Sequence, residues 1–351
     1  MKNNFILSAG NRLYKKLLKL DLNSLAISDY TKNYLKGLIA KESKLHLKRF
    51  IKNYFFERLF TMYPRQYITI LKKLFDFRNL QDLQNITFLE HGGGTGFLSL
   101  LAAEVGIKHV YYNDIYDTSC IDFGVVAEAL GHKNIKIIQG DIEDIQEYCK
   151  LNNILFDRMG SFDVIEHIYN IKEFLLNFPD ILSQEGSVFF YSGANSYNPD
   201  IVKKLTKMHE RIEFENREYK PGWKKRDSLQ SYASIREKII KEIYISKNLT
   251  VPENEVLKLL ITVSRGLIKA DIESVVYDYI NNKTLPITDT IFPSNTCDPL
   301  TGNWAEHLMD FQGLLNVLEQ TFNYCYIYPE KKINKASCIG LYAKQKKASI
   351  S

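Results

Sequence analysis

The sequence predicts an α/β fold: a doubly wound, mostly parallel sheet preceded by basic helices and followed by a long helical stretch before its last elements. Three observations predict it. β-prone segments alternate with helix-forming ones from residue 85 onward. The first strand runs directly into a glycine-rich turn and a helix, Phe88-Leu-Glu-His-Gly-Gly-Gly-Thr-Gly-Phe-Leu98. The next two strands each end in an acid, and in open α/β sheets ligands bind at that end.

Residues 11–83 read as helical. Leu13, Leu17, Leu18 and Leu20, then Leu35, Leu38 and Ile39, then Phe50, Ile51, Tyr54, Phe55 and Leu59 recur at three- and four-residue steps, with lysines opposite. Ser28 or Asp29 suits a helix cap, and Pro64 begins or interrupts the helix running through Ile68, Leu71 and Leu74. The first 60 residues hold 13 Lys/Arg against 4 Asp/Glu, a surplus of +9 in a chain of net charge +5. A solvated helix face accounts for such a surplus; the sharper expectation is contact with nucleic acid, anionic lipid or a phosphorylated substrate.

Asn85-Ile-Thr-Phe-Leu89 forms the first strand and Phe97–Glu104 the helix after it. Gly92, Gly93, Gly94 and Gly96 between them permit positive φ and close approach of a ligand. The turn's N–H groups and the helix N-terminus suit the polar or anionic end of a nucleotide-like cofactor. The spacing departs from the dinucleotide fingerprint, because its third glycine falls on Phe97; the pattern is Glu90-x-Gly92-x-Gly94-x-Gly96. A second strand, His109–Asp114, ends in an acid 24 positions after Glu90, and Ile115 follows. A helix near Ser119–Leu130 leads to a third strand, Ile135–Asp141, followed by Ile142. Then come a fourth segment, Phe156–Ile168, a helix-like run, Ile171–Leu182, and a fifth strand, Ser187–Ser192.

These ordered pieces resemble the class I S-adenosylmethionine-dependent methyltransferases over residues 85–192, including an Asp163-Val-Ile-Glu-His167 stretch of the family's D-V-[LI]-E-H type. The resemblance implies that Glu90, Gly92, Gly94 and Gly96 form the S-adenosyl-L-methionine turn. It assigns Asp114, with Ile115 beside it, to the ribose hydroxyls. Asp141 would receive the adenine amino group, and Ile142 would pack near the ring. The helix at Asp310–Phe322 and the strands Tyr324–Tyr328 and Ser337–Ala343 resemble the family's last helix and antiparallel strand pair, giving a seven-stranded sheet with an antiparallel last strand. Glu306–Phe311 resembles an H-x-x-x-F stretch of small-molecule members. The family usually joins strand five to that helix by a modest loop, whereas here residues 198–305 intervene with helical patterns. The expected organisation is a basic helical region at 1–84, a cofactor core at 85–197, an insertion at 198–305 serving as lid or substrate wall (or as an oligomer contact), and the end of the core at 306–351.

Methyl transfer is an in-line displacement from an activated donor, so protein groups chiefly align, exclude water and remove a proton. His167 is the candidate base with Glu166 to orient it, and His307 is the second candidate. Glu166 and His167 are only part of a metal ligand set, so no metal is expected. Asn195, Tyr197 and Asn198 are candidate substrate contacts, Trp304 and Trp223 candidate walls, and His91 has no assigned role. Gly160-Ser-Phe-Asp163 stands where amino-methylating nucleic-acid enzymes carry an N-P-P-Y tetrad, which argues against base amino groups. The expected function is methylation of a small molecule, most readily at a hydroxyl. The rivals are a nucleic-acid methyltransferase using the basic arm, a non-catalytic binding module, and an NAD-dependent oxidoreductase. Five cysteines without C-x-x-C or zinc spacing predict reduced thiols in a cytosolic protein. No segment approaches the ~18 to 20 apolar residues of a membrane span, and Arg12 interrupts any secretory pattern. The oligomeric state is not legible.

Overall fold

A computed structural model describes residues 2–46, 64–77, 82–218, 227–286 and 291–347. The apolar steps at Phe50–Leu59 and the wall residue Trp223 lie outside the described residues. Seven strands form one sheet: β1 Thr87–His91, β2 His109–Asp114, β3 Lys136–Gln139, β4 Phe156–Phe162, β5 Leu182–Ser192, β6 Phe322–Tyr328 and β7 Ile339–Lys346. Their order is β3-β2-β1-β4-β5-β7-β6. β1 to β5 pair in parallel, and β7 runs antiparallel to both β5 and β6. The carboxyl ends of β1 to β5 therefore share one edge, and the order reverses between β1 and β4. That reversal is where an open α/β sheet leaves a crevice.

The helices are α1 Lys2–Leu17, α2 Asp29–His46, α3 Pro64–Leu74, α4 Phe97–Glu104, α5 Asp117–Ala129, α6 Ile142–Asn152, α7 Ile171–Asn177, α8 Pro199–Phe214, α9 Tyr232–Ser246, α10 Asn254–Val263, α11 Lys269–Asn282 and α12 Phe311–Thr321. Alternation along the strands decides which residues meet which helices. Phe88 packs into a core with residues of α1, α3, α4 and α5, while its neighbour Leu89 joins a second core with residues of α6, α7 and α12. Both faces are thus covered, as a mostly parallel sheet requires.

The run expected to stay helical to Leu182 ends at Asn177 and tightens into a 3-10 turn over Phe178–Ile181. Pro179, which cannot donate an i→i−4 hydrogen bond, sits in that turn. Helix α8 was not foreseen, although Asn198-Pro199 is a cap followed by a first-turn proline. The Asn198 side chain accepts from the N–H groups of Asp200 (3.0 Å) and Ile201 (3.4 Å). Asn195 gives its amide to the carbonyls of Ile333 (2.9 Å) and Ala336 (2.8 Å). Both amides therefore hold the chain in place, which corrects their reading as substrate contacts.

Helices α9, α10 and α11 own a separate apolar cluster built on Tyr232, Ile239, Ile240, Leu257, Leu260, Ile272 and Val276. Beside it lies a fully buried ion pair between Arg236 and Glu213, with Thr296 donating to Glu213 at 2.7 Å. At the other end of the chain, α1 is fixed to α4 because Arg12 and Lys16 both engage the buried Glu104, which His132 also meets at 3.0 Å. These two members of the basic surplus already have an internal partner. No helix among the described residues is long and apolar enough to cross a membrane.

Candidate active site

The glycine turn at the end of β1 has the backbone its sequence demands: Gly92, Gly94 and Gly96 sit at φ 64°, 56° and 72°. A Cβ on Gly96 would lie 1.9 Å from the Phe123 ring, and one on Gly92 would lie 2.5 Å from Val164. On Gly94 it would meet nothing within 4 Å, so that glycine borders open space. The N–H groups, however, are largely used within the protein. Gly93 donates to the Asn113 carbonyl (2.8 Å), Gly94 to Asp114 Oδ2 (2.7 Å), and Ser99 in the first turn of α4 to Glu90 Oε2 (2.7 Å). Glu90 thus occupies the helix N-terminus, where a dinucleotide would put its pyrophosphate. The arrangement suits an adenosyl donor without phosphate, and it changes the expectation of an anion cradle.

Glu90 is only 2% exposed, and burial pushes its carboxyl up to about 8. The folded chain therefore keeps a proton that the unfolded chain releases near the usual carboxylate pKa. The resulting stabilisation is complete in acid and lost as pH rises through about 8. Glu90→Gln is expected to raise the melting temperature by about 2–5 °C at pH 9 and to change it little at pH 5. Thermal denaturation at the two pH values checks this; an equal effect at both would assign the change to packing alone.

The other acids expected to hold the donor lie along the same edge. Asp114, at the tip of β2, is 5% exposed and also accepts the Tyr116 N–H at 2.9 Å. Its two oxygens are thus held by backbone donors from the glycine turn and from the segment after β2. Ile115 beside it is 49% exposed, an apolar surface at the crevice lip. Asp141 is exposed and caps α6 in a reciprocal box with Asp144, and Ile142 is buried just behind it. His91 turns away: its Nδ1 meets Asn113 Oδ1 at 2.9 Å, and its ring stacks on Phe174. Asn113 in turn donates to the carbonyls of Ile138 and Gly140, so this side chain ties the tips of β1, β2 and β3 together.

The second half of the site lies beyond β4 and β5. His167 sits in a 3-10 turn at Ile165–His167, and its Nδ1 lies 2.8 Å from the Trp304 carbonyl oxygen. A carbonyl only accepts, so Nδ1 carries the proton and Nε2 is the basic nitrogen. Nε2 faces Glu306 Oε1 at 3.8 Å. Glu166 was expected to orient this ring, but the Trp304 carbonyl does so. Glu166 itself is fully buried and accepts from the Ser192 hydroxyl at 2.7 Å. Burial, with Asp163 and Glu306 nearby, pushes its carboxyl well above the usual carboxylate range. His307 stacks on Trp304, with ring centroids 4.1 Å apart, and burial pushes it down to about 4. It is therefore an uncharged imidazole at neutral pH.

Sequence reasoning missed Glu306, Ser192 and His209. The His209 ring lies 3.1 Å from the Glu306 carbonyl and steadies that residue from α8. The segment 304–307 runs alongside 166–167, with the Trp304 N–H on the His167 carbonyl (3.4 Å) and the His307 N–H on that of Glu166 (3.0 Å). No local pattern joins residues so far apart in the chain. Buried side-chain atoms without a hydrogen-bond partner recur here: Ser161 Oγ, Glu166 Oε2 and His307 Nδ1. Such atoms are costly in a finished interior and are normal where a ligand or water completes the bonding. A groove of about 650 Å³ near Cys149, Asn153 and Asp180 lies at the opposite end of the sheet, where β4 begins, away from these groups. No cluster of three or more metal-ligating side chains is found among the described residues.

A family model described as "Methyltransferase domain" matches residues 89–190, the span from the first strand to the fifth. No curated protein matches the chain. Similar solved structures include a candidate S-adenosylmethionine-dependent methyltransferase from Streptococcus mutans at 16% identity, covering 40% of this chain and 37% of that one, TM-score 0.31. A candidate sarcosine dimethylglycine methyltransferase from Galdieria sulphuraria is 16% identical over 38% of this chain and 48% of its own, TM-score 0.33. A candidate RNA methyltransferase from Pyrococcus horikoshii is 19% identical over 43% and 68%, TM-score 0.29. The first listed of these chains is thus matched over well under half its length, and TM-scores this low decide nothing about substrate. The strand order, the acid-glycine turn and the matched family model agree: residues 89–190 are a methyltransferase domain of the class I, S-adenosylmethionine-dependent type.

Proposed function

We propose that this chain is an enzyme that transfers a methyl group from S-adenosyl-L-methionine to a hydroxyl of a small molecule. The observation that carries the proposal is the His167 tautomer: a carbonyl fixes Nδ1–H, which leaves Nε2 basic opposite the Glu306 carboxylate. On this reading Glu90, Gly92, Gly94, Gly96, Asp114, Ile115, Asp141 and Ile142 hold the donor, which when bound supplies an electrophilic methyl carbon. His167 Nε2 accepts the hydroxyl proton of the acceptor, and Glu306 stabilises the imidazolium that results. Uncharged His307 offers Nδ1 as a second contact for the acceptor.

An uncharged acceptor is favoured because Asp163, Glu306 and Asp114 would repel a phosphate. Trp304, Tyr169 and Tyr191 supply flat apolar walls. The segment 198–305 serves as the wall or lid, consistent with the bond from Tyr169 to Asp271 of α11 (2.6 Å) and the brace from His209 to Glu306. On the same reading 85–197 and 306–351 make up the cofactor core, and the free thiols of the five cysteines fit a cytosolic setting.

The test is transfer of an isotopically labelled methyl group from the donor to a panel of hydroxylated small molecules, with RNA and DNA in parallel. Label in a hydroxylated compound is the expected result. Label only in nucleic acid would transfer the assignment to the basic arm, and donor binding without transfer to any acceptor would favour a binding module.

A further inference from the structure

A single carbonyl, that of Trp304, keeps the His167 proton on Nδ1, so whatever fixes Trp304 also fixes the tautomer. The Trp304 indole is held on several sides. It stacks on the Tyr169 ring with centroids 5.9 Å apart and on the His307 ring at 4.1 Å, and its Nε1–H donates to the Tyr169 carbonyl at 3.4 Å. Gly266, between α10 and α11, closes in on the same ring: a Cβ there would lie 2.9 Å from Trp304 Cη2. Tyr169 is fixed in turn. Its hydroxyl donates to Asp271 Oδ2 at 2.6 Å and accepts the Ile268 N–H at 3.2 Å. Ile268 is the residue before α11, and Asp271 lies in the first turn of that helix. The phenol therefore closes the start of α11 with one bond in each direction, and it satisfies a backbone N–H that has no partner within the helix. An unbroken line of contacts runs from α11 through Tyr169 and Trp304 to the His167 ring.

We propose that Tyr169 and Asp271 are positioning residues: tied to the start of α11, the Tyr169 ring holds Trp304 where its carbonyl keeps the His167 proton on Nδ1. This rests on the role given to His167 above. Neither side chain is assigned a contact with the reacting atoms; both act through the Trp304 carbonyl. A neutral imidazole left without such a partner shares its proton between the two ring nitrogens, and only the Nδ1–H form presents a basic Nε2. The insertion then contributes to the chemistry as well as to the wall of the site.

The experiment is ring-nitrogen NMR of the full chain carrying labelled histidine, at about pH 8, where imidazoles are largely neutral. Loss of signals in His167→Gln identifies those of His167. The unaltered chain is expected to show His167 in its Nδ1–H form. Tyr169→Phe keeps the stack without the tether and should lower the ratio of Nδ1–H to Nε2–H about threefold, and Tyr169→Ala, which removes both, about tenfold. Asp271→Asn still accepts from the phenol and should leave the ratio within about twofold, whereas Asp271→Ala should match Tyr169→Phe. His91, bound to Asn113 on the β1–β2 side, is the control and should keep its signals in every variant. A ratio in Tyr169→Ala within about twofold of the unaltered chain overturns the inference. Altered His91 signals overturn it too, since Tyr169 would then be supporting the fold as a whole. A mixture of tautomers in the unaltered chain defeats the reading of His167 as a preset base, and this inference with it.

Discussion

His167→Ala is expected to lower kcat by about 10²- to 10⁴-fold, the range usual for loss of a positioned general base. Donor affinity should stay within about twofold, because His167 belongs to the β4–β5 side of the crevice and the donor-side acids to the β1–β3 side. The argument rests on the direction of one hydrogen bond. The Trp304 carbonyl can only accept, so Nδ1 carries a proton and Nε2, facing Glu306 at 3.8 Å, is the nitrogen through which the ring gains or loses one. His167→Gln is the informative companion: its amide can reproduce a bond to the carbonyl but cannot take a proton. Stopped-time assays on a labelled donor measure both variants. If His167→Gln retained most of the wild-type kcat, the ring would be a positioning group and the base would lie elsewhere.

Gly96→Val is expected to cost about 3–5 kcal/mol of stability, the sum of left-handed strain and overpacking. Donor binding should be lost with it. Gly96 sits at φ 72° as the residue before α4, and its missing Cβ position is 1.9 Å from the Phe123 ring. That ring has little room to yield, because it stacks on Tyr112 with centroids 4.0 Å apart, and the Tyr112 hydroxyl donates to the Gly94 carbonyl at 2.7 Å. A collision at Gly96 is therefore passed back into the turn itself. Gly94→Ala makes the contrast: the same backbone region, but no neighbour within 4 Å. It should cost only about 1–2 kcal/mol. Urea denaturation of the two variants gives the comparison, and equal losses would mean that backbone strain alone sets the requirement for glycine.

Much of the β1–β3 edge was legible because its signals are local. Glycine spacing, strand alternation and acids at strand ends are short-range signals, and β2 begins and ends where the pattern puts it, at His109 and Asp114. The acceptor half was less so. His167 was identifiable from the end of the fourth segment, but its partner carbonyl lies 137 residues away at Trp304. Glu306 stood next to a recognised histidine and received no role, because only the seating of 304–307 against 166–167 turns its carboxylate toward the ring. The roles of Asn195 and Asn198 were misread for a related reason: an amide near a cleft looks the same in sequence whether it meets a ligand or the Ile333 and Ala336 carbonyls. The N–H groups of the glycine turn were counted as available, since nothing local shows that Glu90 folds back onto α4.

The two backbone bonds that seat 304–307 against 166–167 have a consequence for timing. On the proposed chemistry the proton acceptor is correctly protonated only while a distant stretch of backbone is in register beside it. Any excursion that lifts Trp304 frees Nδ1, lets the ring exchange tautomers, and disarms the site.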